Sequence, residues 1–122
     1  MKKILFFIGV ITASCLTGAY AQRFGKLLKQ TPGVVSYTFR NEFGKDVPGT
    51  LDKVKAMGIT NIEFSNLFGK TAAELRALLD ERGMRCSSLG VGFADLNDKS
   101  ETVIQNAKTL GAEFVRIGSV PH

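Results

Sequence analysis

The chain has 122 residues, 44% of them apolar and 22% charged, with a formal net charge of +5. This length holds one domain at most, and this balance places the chain among ordinary globular proteins. The positive excess is confined to the first 29 residues: from Gln30 onward eleven basic residues face eleven acidic ones, so no basic stripe exists to neutralise phosphates and nucleic acid is not an expected partner.

The chain opens with an export signal. Lys2 and Lys3 precede an apolar run from Ile4 to Leu16, and Ala19-Tyr20-Ala21 supplies the small-x-small pattern that a signal peptidase cuts after. Residues 1–21 are read as a signal peptide and the protein as exported, periplasmic or secreted. A membrane anchor is the weaker alternative, since the run falls short of the roughly 20 apolar residues that span a bilayer. No stable membrane insertion is expected after cleavage. A lipoprotein cut before Cys15 is a further alternative, disfavoured because Thr12 stands where such sites usually carry Leu. Cleavage removes two lysines and Cys15, leaving a charge of +3 and Cys86 without a partner, so no disulfide framework supports the fold. Residues 22–32 follow as a basic arm.

From Gly33 the chain repeats one grammar three times: helix-spaced apolar residues, a glycine, then a short β-prone run. The glycines are Gly58, Gly83 and Gly111, each where a left-handed residue would end a helix. Thr71-Ala72-Ala73-Glu74 reads as a capping box, with weaker helix starts at Asp46 before Pro48 and at Asp98 before Glu101. Leu51, Val54 and Met57, then Leu75, Leu78 and Leu79, then Val103, Ala107 and Leu110 mark one buried face per helix. Between the helices, VVSYTF, NIEFS, MRCSSL and EFVRIG read as four strands, and LGVGFADLN as a flexible loop after the third. The order β-α-β-α-β-α-β predicts parallel strands with helical crossovers, either an open doubly wound sheet or part of a (β/α)8 barrel. A barrel needs about 250 residues, so the chain is read as the front half of a longer protein.

In such a fold, chemistry gathers at the carboxyl ends of the strands. Alternation along NIEFS sends Ile62 and Phe64 to one face and Asn61, Glu63 and Ser65 to the other. If the apolar pair meets the helices, Glu63 points into the barrel, as a residue that binds a polyol or assists proton transfer, or as half of a structural ion pair. Arg116 on strand four is its expected partner, because alternate barrel strands feed the same interior layer. Arg40, closing strand one, reads as a binder of anionic or hydroxyl-rich substrate or as a solvated arginine; Tyr37 as a pocket or a core residue. His122, the only histidine, could serve as proton shuttle, hydrogen-bond donor or ligand, although one histidine cannot make a metal site. Cys86 reads as a small core residue. Gly90 and Gly92 lack the third glycine of a dinucleotide fingerprint.

SYTFR at strand one, GITNIEF before and through strand two, GMRCSS into strand three and GAEFVRI ending in Pro-His, in this order and spacing over residues 33–122, resemble the N-terminal half of the xylose isomerase-like TIM barrel family. The likeness is greatest to its exported sugar phosphate isomerase/epimerase branch. The resemblance implies a small-molecule carbohydrate substrate, proton transfer between adjacent sugar carbons through an enediol, and a divalent metal (Mn, Co, Mg or Zn). It also implies that the metal's two glutamates, aspartate and histidine come from later strands, at positions this sequence does not contain. Glu63 and His122 carry over as pocket residues with a catalytic role, and Tyr37, Arg40 and Arg116 remain the candidate substrate-binding residues. The fragment alone is expected to be inactive. A DNA-repair branch that places histidines at early strand ends is disfavoured, since those ends read Phe64-Ser65-Asn66 and Ser87-Ser88-Leu89. An exported sugar-binding protein and a non-catalytic carbohydrate-recognition module are the alternatives.

Overall fold

A computed structural model describes residues 32–121. Residues 1–31, where the sequence leads one to expect a signal peptide and all but the last residue of a basic arm, lie outside the described residues, as does His122.

Strands β1 (Gly33–Val35), β2 (Asn61–Phe64), β3 (Arg85–Val91) and β4 (Phe114–Ile117) form one all-parallel sheet in the order β1-β2-β3-β4. A four-residue helix α1 (Arg40–Phe43) and α2 (Val47–Ala56) connect β1 to β2; α3 (Ala72–Arg82) connects β2 to β3; α4 (Phe93–Asp98) and α5 (Ser100–Leu110) connect β3 to β4. Strands added in sequence order through right-handed crossovers carry their helices on one face of the sheet. The buried core agrees: Leu51 and Val54 of α2, Leu75 and Leu79 of α3, and Ala107 and Leu110 of α5 pack with Ile62, Phe64, Cys86 and Leu89 of the central strands. The opposite face has no helix among the described residues. Among those residues no helix is long and apolar enough to cross a membrane.

Local signals set the helix ends. The Asp46 carboxylate accepts the Gly49 N–H at 3.0 Å to cap α2, with Pro48 in its first turn. At α3 both halves of the capping box form: the Thr71 hydroxyl accepts the Glu74 N–H at 3.2 Å, and the Glu74 carboxylate accepts the Thr71 N–H at 2.7 Å. Gly83 and Gly111 leave their helices at φ +61 and +72, a conformation that a side chain would strain.

Four local expectations are corrected. Strand one ends at Val35, and Ser36–Phe39 is a 3-10 turn. The Ser36 hydroxyl, fully buried, accepts the Ser65 N–H at 2.8 Å and sits 3.0 Å from the Ser65 hydroxyl; this side-chain bond occupies a donor that a longer ladder would use. Tyr37 therefore lies on the turn and Arg40 opens α1, neither in a strand. Met57 is exposed because α2 stops at Ala56. The stretch after strand three is ordered: β3 runs on to Val91 and Phe93–Asp98 is helical, so that Asp98 ends α4 and Lys99 occupies the N-cap of α5.

The third strand also contains an irregularity that alternation alone does not predict. Ile62 pairs with Cys86 but Glu63 pairs with Ser88, leaving Ser87 as an extra residue. Cys86 and Leu89 are an odd number of residues apart, so a regular strand would aim them at opposite faces. The bulge resets the phase and lets both face the helices, where both are buried.

Candidate functional site

The register fixes which residues share the helix-free face. Val35, Glu63 and Ser88 are aligned across β1, β2 and β3, and Ser88 and Gly90 are aligned with Phe114 and Arg116 of β4. Glu63 and Arg116 meet there, as alternate-strand geometry predicts: Arg116 Nε donates to Glu63 Oε1 at 2.6 Å, and a terminal guanidinium nitrogen lies 2.5 Å from the same oxygen. The two strands are about 10 Å apart, so the guanidinium must pass over β3. The residues beneath it are Ser88 and Gly90, too small to block the span. At Gly90 a Cβ would sit 3.1 Å from the Ser65 Cα and 3.3 Å from the Phe64 carbonyl, so glycine is needed there for backbone packing as well.

The pair is asymmetric. The Glu63 side chain is mostly covered at 16% exposure, while Arg116 is half open at 48%. Hydrogen bonding to Glu63 raises the Arg116 pKa above the usual arginine value, which keeps a permanent cation on this face. Both guanidinium contacts fall on Oε1, so Oε2 of Glu63 is left to accept a hydroxyl and the remaining Arg116 N–H groups to donate. Lower on the same face, the buried Oδ1 of Asn61 finds no hydrogen-bond partner among the described residues.

Tyr37 and Arg40 lie just beyond the carboxyl end of β1 and form a unit of their own. The guanidinium carbon of Arg40 stands 4.6 Å from the Tyr37 ring centre, and one guanidinium nitrogen donates to the Tyr37 carbonyl at 3.3 Å. Tyr37 is 60% exposed, so it is not a core residue. Neither residue forms a hydrogen bond or ion pair with Glu63 or Arg116. Cys86 is a buried free thiol, its pKa raised by burial, which fits the expected core role.

A cavity of about 230 Å3 opens where β2 and β3 end, walled by α4 and α5. Its polar lining includes Asn66, Asp95, Lys99, Thr102 and Asn106, over an apolar floor that includes Leu89 and Val103. None of Glu63, Arg116, Tyr37 and Arg40 lines it. The sequence does not announce it, because LGVGFADLN reads as loop. The available signal was two polar pairs at helical i,i+4 spacing, Asp95 with Lys99 and Thr102 with Asn106.

The described residues do not make a metal site: no three His, Cys, Asp or Glu side chains among them converge, and Glu63 already shares its carboxylate with a guanidinium. What the helix-free face can do is bind hydroxyl groups through a fixed acceptor and a fixed donor. In comparisons with known proteins, no family model matches the chain, and no curated protein does.

Proposed function

We propose that the four β/α units are the first half of a (β/α)8 barrel of the xylose isomerase-like kind, and that the protein is an exported sugar phosphate isomerase or epimerase. In this reading the helix-free face is the barrel interior, and the divalent metal that supplies the enediol chemistry is held by residues beyond the described ones. The observation that carries the reading is the Glu63–Arg116 pair on the helix-free face of an in-order parallel sheet. In-order winding supports a barrel over a doubly wound lobe, whose strand order reverses at a switch point. The Asn61 acceptor supports it too, because a buried acceptor calls for a donor from some further element.

Within this reading, Glu63 and Arg116 hold and orient sugar hydroxyls, and Tyr37 with Arg40 forms part of the rim. The test is an assay of proton exchange at the carbon next to the sugar carbonyl, followed by NMR in heavy water with added Mn, Co, Mg or Zn. Residues 22–122 alone are expected to give no exchange. The encoding DNA past codon 122 is expected to continue in frame with Glu, Asp and His at later strand ends. Exchange by residues 22–122 alone, or a stop at that codon with a cooperatively melting monomer, overturns the reading.

A second reading, an exported carbohydrate-recognition protein without catalysis, is favoured by one observation. Glu63 gives one oxygen to Arg116 at 2.6 Å, which suits a fixed hydrogen-bond acceptor better than a proton carrier. A continuation lacking those later Glu, Asp and His residues selects this reading.

A further inference from the structure

We propose that the cavity between the ends of β2 and β3 and the helices α4 and α5 is a binding site for a small, uncharged, hydroxyl-bearing molecule. The inference is separate from the isomerase reading: it needs the cavity and its lining, and no reaction.

Size comes first. At about 230 Å3 the cavity lies below the roughly 300–1,000 Å3 of pockets that enclose drug-sized ligands, a size that suits a single small molecule. Charge comes second. The charged residues of the lining are Asp95 and Lys99, one turn apart with Lys99 Nζ 3.8 Å from an Asp95 oxygen. Their charges cancel at the wall. An anion drawn to Lys99 meets the Asp95 carboxylate, and a divalent cation finds a single carboxylate where it needs several oxygen ligands.

The remaining lining is suited to hydroxyls. Thr102 and Asn106 lie one turn apart on α5, and neither side chain is hydrogen-bonded among the described residues. The Asn66 carbonyl oxygen is engaged by the Phe68 N–H at 2.7 Å, which turns its amide NH2 into the available donor. Together these groups offer a hydroxyl, two amide donors and a carbonyl acceptor, the complement of a polyol's alternating donors and acceptors. Leu89 and Val103 beneath them give an apolar floor for the carbon side of such a molecule. The outer wall, α4, has no buried residue, so it can shift to admit and cover a ligand without breaking core packing.

The experiment is an NMR titration of the chain, following backbone and Asn side-chain amides, with glycerol, D-glucose and inorganic phosphate as separate probes. Glycerol or glucose is expected to shift the Asn66, Thr102 and Asn106 signals saturably, and phosphate to leave them in place. The double substitution Thr102→Val with Asn106→Leu is expected to weaken glucose binding about tenfold, as the loss of two hydrogen bonds implies. Signals from Ile62 and Leu79 that stay unmoved report an intact core. Asp95→Asn serves as a second variant that leaves the hydroxyl-binding groups untouched: with Lys99 no longer offset, phosphate is expected to begin to bind. No saturable shift with either neutral probe overturns the proposal. So does phosphate binding to the unsubstituted chain, or glucose binding that ignores the double substitution.

Discussion

Phe64 and Phe114 are the same residue on two strands of one sheet, and they meet opposite surroundings. Phe64 on β2 faces the helices, is fully buried and packs edge-on against Phe43, with ring centres 6.2 Å apart. Phe114 on β4 faces the other way and is 65% exposed. The contrast holds for the two faces as wholes. One is continuous apolar packing, and the other carries Glu63, Arg116, Ser88 and the Asn61 acceptor, which has no partner among the described residues. Stability resides on the first face, which leaves the second free to hold polar groups in fixed positions.

The sharpest way to break that comparison is to truncate both rings. Phe64→Ala is expected to destabilise the chain by about 3–5 kcal/mol, the usual cost of emptying a large buried site. Phe114→Ala in the 122-residue chain is expected to change stability by less than about 0.5 kcal/mol, as at exposed positions generally. Denaturant unfolding of the two variants measures both. Equal losses would mean that something covers the helix-free face in solution, and the same Phe114→Ala change inside a closed barrel is expected to be costly.

Gly90 tests the boundary between the faces. A methyl there points at the backbone of Ser65 and Phe64, neither of which can move aside as a side-chain end could. Gly90→Ala is expected to cost about 1–3 kcal/mol through overpacking and to disturb the Arg116 guanidinium that crosses β3. Unfolding measures the first effect, and loss of the Arg116 Nε–H NMR signal's protection from exchange measures the second.

The helix starts sharpen the comparison from outside the sheet. Thr71→Ala removes the hydroxyl half of the capping box and is expected to cost about 1 kcal/mol. The Glu74 half carries a pH signature. Its hydrogen bonds to the Thr71 backbone and hydroxyl hold its carboxyl below the ordinary glutamate value of 4.5. A depressed folded-state pKa means that the stabilisation is present above 4.5 and is lost as the pH falls through the lower, folded value. The stability gap between the native chain and Glu74→Gln is therefore expected to be constant at neutral pH and to close in acid. A gap that is flat across the whole range would show that the carboxylate is not what the cap uses.

These features differ in how far they could be read from the sequence, and the difference follows the range of the deciding contact. The capping box, the Asp46 cap and the left-handed glycines depend on residues within four positions of each other, and they form where the sequence places them. The Glu63–Arg116 pair joins residues 53 apart, yet it was legible, because strand alternation and strand order together fix both side chains on one face. The end of β1 was not legible: it is set by the Ser36 hydroxyl meeting Ser65, 29 residues away, and no local pattern announces that bond. Tyr37 and Arg40 were misplaced with it. The Ser87 bulge was hidden for a related reason, since an extra residue shows only against its pairing partner. The cavity stayed hidden because it forms between two helices, one of which the glycines around it disguised as loop.

The smallest expected effect is also the one that bears most on what the helix-free face is for. Glu63→Gln keeps the shape of the side chain and removes its charge from Arg116. An ion pair with one partner half exposed contributes about 0–1 kcal/mol, and the freed guanidinium can turn to water, so unfolding is expected to shift by no more than that. The shift should shrink further in high salt, where exposed charges are screened. If so, the pair is not there chiefly to hold the sheet together, because four strands and three helix faces already do that without it. A loss of several kcal/mol, insensitive to salt, would instead make Glu63–Arg116 a structural clamp and remove the observation on which the functional reading stands. A small loss leaves an acceptor and a donor held on the one face of the sheet that packing does not need.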